Sequence, residues 1–212
     1  MFYEATDEEV YKIIMSLKGN KSCGDDNIRP NHLKQCVSSL KDPITHVLNM
    51  SLRACKVPQK LKIAKVIPVY KKDERSDPGN YRPISLLSIL DKILEKIVCK
   101  RLVDFLEDHN LLYKYQFGFR SKHSTVQAVT EIVDNLIDEM KNGKLVSGIY
   151  MDLSKAFDTV DHDILLHKCE HYGIRDQALL WLKSYLYDRR QYTLANGVKS
   201  SEKTVEYGVP QG

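Results

Sequence analysis

Long apolar runs are missing from this 212-residue chain: none approaches the roughly 18 residues a membrane-spanning helix needs, so a helical membrane protein is excluded. Ten Gly and seven Pro are too few for a collagenous or low-complexity chain. The five cysteines (Cys23, Cys36, Cys55, Cys99 and Cys169) are odd in number and scattered, without a C-x-x-C pair or a histidine at zinc-ligand spacing. That excludes a disulfide framework and predicts reduced, mostly buried, intracellular thiols. The leading MFYEATDEEV has neither a basic n-region nor an apolar h-region, so nothing predicts secretion, and nucleus and cytoplasm stay open. A large charge excess is also absent: 32 basic and 28 acidic residues leave +4, too little to argue for a polyanionic partner.

What is present is the composition of a folded domain, 42% hydrophobic and 28% charged, long enough to bury a core. Charge is unevenly placed. KVPQKLKIAKVIPVYKK, residues 56–72, carries six Lys and no acid, a local positive field for phosphate if the segment folds onto one face, or a solvated strand flank if it does not.

Thr6 with Glu9 forms a capping box, and Val10, Ile13, Ile14 and Leu17 repeat at helical spacing before Gly19. Residues 33–40 and 44–52 read as two short helices separated by Pro43. VIPVY (66–70) reads as a strand and KKDERSDPGN as its loop. After Pro83, Leu86, Ile89, Leu90, Ile93, Leu94, Ile97, Val98 and Leu102 predict a long amphipathic helix with the proline in its first turn. Val126, Val129, Val133, Leu136, Ile137 and Met140 mark a second. The apolar run LVSGIYM (145–151) reads as a buried strand. Two further helices, one through Ile164, Leu165 and Cys169 to Gly173 and one through Leu179, Leu182 and Leu186, precede a hairpin turning at Asn196-Gly197.

Asp152 follows the apolar run directly, where a strand end positions a carboxylate for a divalent cation; spacing alone favours a turn or N-cap role. Asp158, Asp161 and Asp163 straddle a turn and a helix start, so capping accounts for them. His162 and His167 are five apart, which is not the spacing of facing helical ligands.

The ordered series KVIPVYKK, NYRPISLLSILDKILEKIV, QFGFR with HST, YMDLSKAFDTVDHDILL and GVPQG resembles the reverse transcriptase domain of non-LTR (LINE-type, jockey-like) retrotransposons, and LKGNKSCGDDNIRP resembles the segment ahead of the fingers in these enzymes. The resemblance implies an α+β, right-hand polymerase fold holding the fingers and the first part of the palm, helix-rich with a partial antiparallel sheet. Its divisions are a helical extension of the fingers (1–60), fingers (61–142) and partial palm (143–212). The implied activity is RNA-directed DNA polymerisation, with an RNA template, a DNA primer and deoxynucleoside triphosphates as partners, two Mg²⁺ ions as cofactors, and no membrane.

Roles transfer by resemblance alone. Asp152 matches the first catalytic, metal-binding aspartate, and Leu153 a main-chain phosphate contact. Phe157 matches the aromatic gate under the incoming sugar. Arg82, with Lys71 or Lys72, matches the cations that grip nucleotide phosphates. Gly118 and Arg120 in QFGFR match a template-side block. In GVPQG, Gln211 would lie against the nascent base pair, Gly208 and Gly212 would permit tight backbone, and Pro210 and Gly212 would face the template. The family's aromatic-x-Asp-Asp hairpin lies beyond Gly212. One Asp is too few for two ions about 4 Å apart, so the 212 residues are expected not to polymerise alone, and exposed apolar edges are expected. The alternatives are a non-catalytic nucleic-acid-binding module gripping phosphates through residues 56–72 and QFGFR, and a protein scaffold built on the two long helices.

Overall fold

Thr6 opens the first helix, α1 (Asp7–Ser16), by accepting the Glu9 N–H on its hydroxyl at 3.2 Å, and Asp7, Glu8 and Glu9 place negative charge at the helix's positive end. The capping box is only half closed. The Glu9 carboxylate turns instead to Arg101, meeting its two guanidinium nitrogens at 3.1 and 2.9 Å, and Arg101 stacks over Tyr3. A buried guanidinium needs a counter-charge more than a half-exposed N-terminal amide needs a second cap.

The computed structural model describes residues 2–19 and 22–210, which divide into two units: the residues up to 103 together with those from 155 onward, and residues 104–154. In the first unit, α1 packs with α2 (Pro30–Gln35), α3 (Val37–Ala54), α4 (Ile89–Asp108) and α7 (Asp176–Leu186) around Val10, Ile14, Leu48, Ile93, Ile97 and Trp181. Pro43 does not separate two helices. The break falls at Cys36 and Pro43 lies inside α3, because burial of Val37, Leu48 and Leu52 on one continuous face outweighs the single hydrogen bond that proline forgoes.

The sheet of this unit has five strands: β1 (Ile63–Tyr70), β2 (Tyr81–Leu86), β3 (Arg190–Ala195), β4 (Val198–Lys199) and β5 (Lys203–Thr204). β1 and β2 form an antiparallel hairpin in which Val69 faces Arg82 and Pro68 faces Pro83. Residues 83–86 are therefore strand rather than helix, and α4 begins only at Ile89. The register tolerates both prolines. Counting from the Lys71 N–H to Asn80 carbonyl bond, the Pro68–Pro83 pair falls where N–H groups point away from the partner strand. β3 turns into β4 at Asn196-Gly197, both at positive φ.

The sheet is mixed rather than antiparallel, since β3 runs parallel to β1 with Ile63 opposite Arg190 and Val66 opposite Thr193. The long chain between them, which contains helices, supplies the crossover that parallel neighbours require. Residues 22–30 pin this sheet to α4: Lys65 Nζ donates to the Gly24 carbonyl at 2.9 Å, Ser88 to Asp26 at 2.6 Å and Tyr192 to Asp25 at 2.7 Å. A β-carbon on Gly24 would come within 2.6 Å of the Leu87–Ser88 backbone. α6 (His162–His171), capped by Asp161, completes the unit.

The second unit contains the end of α4 and α5 (Thr125–Lys141), which Ser124 caps by accepting the Gln127 N–H. Its periodicity is as expected, but Val126, Val129, Val133, Ile137 and Met140 are exposed instead of forming a core. The run 145–151 is not a buried strand: it has no regular structure, and Leu145, Ile149, Tyr150 and Met151 are exposed. An apolar run becomes a strand only when a neighbour takes its backbone hydrogen bonds, and among the described residues no strand pairs with it.

The cysteines are all free, two of them exposed and three half-buried, so the expectation of mostly buried thiols does not hold. Among the described residues no helix is long and apolar enough to cross a membrane.

Candidate functional site

The segment 157–162 and the loop at 208–210, some fifty residues apart in sequence, are tied together by their backbones. Gly208 N–H donates to the Val160 carbonyl at 2.8 Å, and Val209 N–H to the Phe157 carbonyl at 2.9 Å. His162, on the first turn of α6 and only 5% exposed, brings Nε2 to 2.8 Å from the Gly208 carbonyl. Gly208 has φ +83°, and a β-carbon there would stand 2.7 Å from the Asp158 carbonyl oxygen. Both the torsion and the close approach require glycine. Phe157 is left half exposed, and Pro210 lines a cavity of about 280 Å³ together with Ala64, Val66, Pro83, Ser85 and Gln191. Gln211 and Gly212 lie outside the described residues.

Lys71, Lys72 and Arg82 stand exposed at the far end of the β1–β2 hairpin. Lys72 makes only a loose 3.9 Å contact with Asp73, both side chains being mostly solvated, and such a pair holds little energy. Strand alternation puts Arg82 and Lys71 on the face carrying Lys65 and Ile67, opposite the face whose Pro83 and Ser85 line the cavity. The six lysines of 56–72 do not share one face. Lys62 is 3% exposed, donates to the Tyr187 carbonyl at 3.1 Å, and has its pKa lowered by burial, while Lys65 turns in to Gly24.

In the second unit, Asp152 and Leu153 sit exposed in the irregular segment after residue 151. Arg120 folds back on its own unit, holding Glu107 in a bidentate pair at 2.9 and 2.7 Å and donating to the Tyr113 carbonyl at 3.2 Å. That pair holds the Glu107 carboxyl below its ordinary range, through the hydrogen bond first. Nothing crowds the position a β-carbon would take on Gly118. Among the described residues no three of His, Cys, Asp and Glu gather where they could hold a metal ion.

Sequence reasoning missed a buried ionisable cluster in the first unit. Asp91 is fully buried, and its Oδ2 accepts from Arg189 Nη2 at 3.1 Å while its Oδ1 has no partner. Glu95, one turn on, accepts from the Tyr185 hydroxyl, and the Arg189 guanidinium lies 4.6 Å over the Tyr185 ring. The available signal was two acids spaced i, i+4 inside an apolar helical pattern. Burial first, then the Glu95 charge, raises the Asp91 pKa from 3.8 to about 7. The folded chain therefore keeps a proton up to about pH 7 that the unfolded chain releases near pH 3.8, so this group's contribution to stability falls as pH rises between those values. Asp91→Asn is expected to flatten that part of the profile, checked by urea midpoints at pH 5 and pH 8. A parent whose midpoint moves between those pH values no differently from the variant's would count against it.

Residues 69–212 match the reverse transcriptase (RNA-dependent DNA polymerase) family. The chain is 34% identical, over 97% of its length and 23% of the relative's, to a probable RNA-directed DNA polymerase from transposon BS of Drosophila melanogaster. It is 32% identical over 97% of its length to the RNA-directed DNA polymerase from mobile element jockey of the same organism, covering 22% of that protein. Identity is again 32%, over 97% of this chain and 20% of the relative, to the Pol polyprotein of type-1 retrotransposable element R1 from Bradysia coprophila. The chain thus spans less than a quarter of the length of these relatives.

Proposed function

This chain belongs to the reverse transcriptase family, and from that premise we propose that its 212 residues form the nucleotide- and template-gripping part of an RNA-directed DNA polymerase of the non-LTR retrotransposon kind. The observation that carries the reading is the docking of the 208–210 loop onto Phe157 and Val160. Two blocks matching the family's nucleotide pocket meet through backbone hydrogen bonds, leaving Phe157 half exposed beside the residues that precede Gln211. In this reading residues 61–142 act as fingers, 1–60 extend them, and 143–212 begin the palm. Arg82, Lys71 and Lys72 hold triphosphate, with Arg82 offering a planar, permanently charged donor. QFGFR flanks an RNA template paired to a DNA primer, with Gly118 leaving open backbone to approach.

Reverse transcriptases generally work with divalent metal ions. Asp152 is the candidate for the first acidic ligand, but a pair of ions needs several carboxylates, and the described residues gather no such set. They do not fit a metal pair by themselves. We therefore assign these 212 residues binding, and no chemical step.

The test is fluorescence anisotropy of an RNA/DNA primer-template across a salt series. Affinity is expected to fall with salt, because cations that neutralise phosphates release counterions. Lys71→Glu with Lys72→Glu, and separately Arg82→Ala, are expected to weaken binding and to lower the salt slope by about one for each phosphate-binding cation removed. Binding by a folded chain that ignores both salt and these substitutions would overturn the reading. Primer extension by the 212 residues with Mg²⁺ and all four deoxynucleotides would overturn the restriction to binding.

A further inference from the structure

We propose that His162 is a positioning residue: its Nε2–H holds the Gly208 carbonyl and thereby sets where the loop leading to Gln211 sits against Phe157. The proposal rests on the reading above for its meaning, while the lock itself is geometric. A carbonyl only accepts, so the 2.8 Å contact requires the proton on Nε2. The ring is held by its place on the helix and by one further contact. It sits at the first residue of α6, whose start Asp161 caps by accepting the Ile164 N–H at 2.9 Å. Its plane meets the Tyr187 ring edge-on with centroids 5.7 Å apart. Tyr187 is itself held by donating its hydroxyl to Asp163, so His162 and the carboxylate that holds its packing partner share one helical turn.

With that anchor, three backbone groups of Gly208 and Val209 bond to residues 157–162: the Gly208 N–H, the Gly208 carbonyl and the Val209 N–H. Two of those bonds reach main chain, which any sequence could provide. The third depends on one side chain, and it is the buried one. Without a donor there, the Gly208 carbonyl loses its partner at a buried position, a situation that favours opening of the loop. Such opening would free the segment beside Phe157, which in the proposed reading judges the sugar of the incoming nucleotide. His162 would then act on nucleotide selection without touching the nucleotide.

The experiment is amide hydrogen exchange on the 212-residue chain, read at Gly208 and Val209, for the parent, His162→Phe and His162→Gln. Phenylalanine keeps a ring against Tyr187 but has no donor; glutamine keeps an N–H donor and gives up the ring. Exchange at the two amides is expected to quicken about tenfold in His162→Phe, with the α4 and β1 amides unchanged, and to be largely rescued in His162→Gln. A histidine that only filled space would give the reverse order, with His162→Phe like the parent, and that result would overturn the proposal. Equal exchange in all three chains would overturn it too. Should a variant fail to fold, its α4 and β1 amides would report it, and the parent's own ring supplies the further check: ¹⁵N shifts of His162 must show a proton on Nε2, and an Nε2 without one would overturn the proposal. Exchange reads the lock without nucleic acid, so loss of the lock and failure of the anisotropy test are separate results.

Discussion

At pH 8, above the raised Asp91 pKa, Arg189→Met is expected to cost about 3–5 kcal/mol of folding stability, the scale for removing one member of a buried ion pair and leaving the other charge uncompensated. Arg189 is 2% exposed and Asp91 is fully buried. The guanidinium donates to Asp91 Oδ2 and, at 3.2 Å, to the Tyr185 carbonyl, while its face covers the Tyr185 ring. Methionine preserves much of that volume but removes the charge, so Asp91 must stay ionised without its partner or take up a proton. Lys62 nearby does not substitute, because its ammonium is committed to the Tyr187 carbonyl and burial already disfavours its charge. The double variant Asp91→Leu/Arg189→Met is expected to recover most of the loss, since two apolar groups leave nothing unpaired. Urea unfolding of parent, single and double variants measures both statements. A double variant no more stable than Arg189→Met would show that the loss came from packing.

A comparable loss, about 3–5 kcal/mol, is expected for Trp181→Ala. Trp181 is 1% exposed and joins α7 to α3 and to the N-terminal segment. Its ring stacks on Tyr185 at 5.5 Å and meets Phe2 edge-on at 5.9 Å, and its indole N–H donates to Ser51 Oγ at 3.2 Å. Ser51 in turn donates to the Lys56 carbonyl at 2.6 Å, linking the indole to the entry of β1. Alanine would remove the packing and the donor together and leave a cavity between α3 and α7. Trp181→Phe, which fills most of the space, should cost clearly less, and near-equal losses in the two variants would place the energy in the indole hydrogen bond. The same unfolding measurement decides it.

Most of the helices were legible because their signals are local, whereas the α2–α3 break and the start of α4 were not. Thr6, Ser124 and Asp161 each accept the backbone N–H three residues on, and the apolar spacing of residues 89–102 reports a buried face that α4 does bury. The Asn196-Gly197 turn was legible for the same reason: both residues must reach positive φ. Whether the 56–72 lysines share a face is not legible, because sequence gives charge without direction; two of the six turn inward. The 145–151 run was misread because apolar composition says what a segment prefers to do without saying whether a neighbour exists to pair with it.

Local order thus follows from the sequence by itself: α1, α5, α6, α7 and the body of α4, the strand β1, the β3–β4 turn, and, through the matching of five short blocks, membership of a polymerase family. Tertiary structure alone decided that β3 lies parallel to β1, that the Gly208 loop lands on Phe157 and His162, and that Asp91, Arg189 and Lys62 are buried. The physical reason is range. Capping, helical spacing and turn torsions act over a few residues and are written in consecutive letters, whereas strand partners, buried counter-charges and loop seats are chosen by surfaces that meet only after the chain has folded.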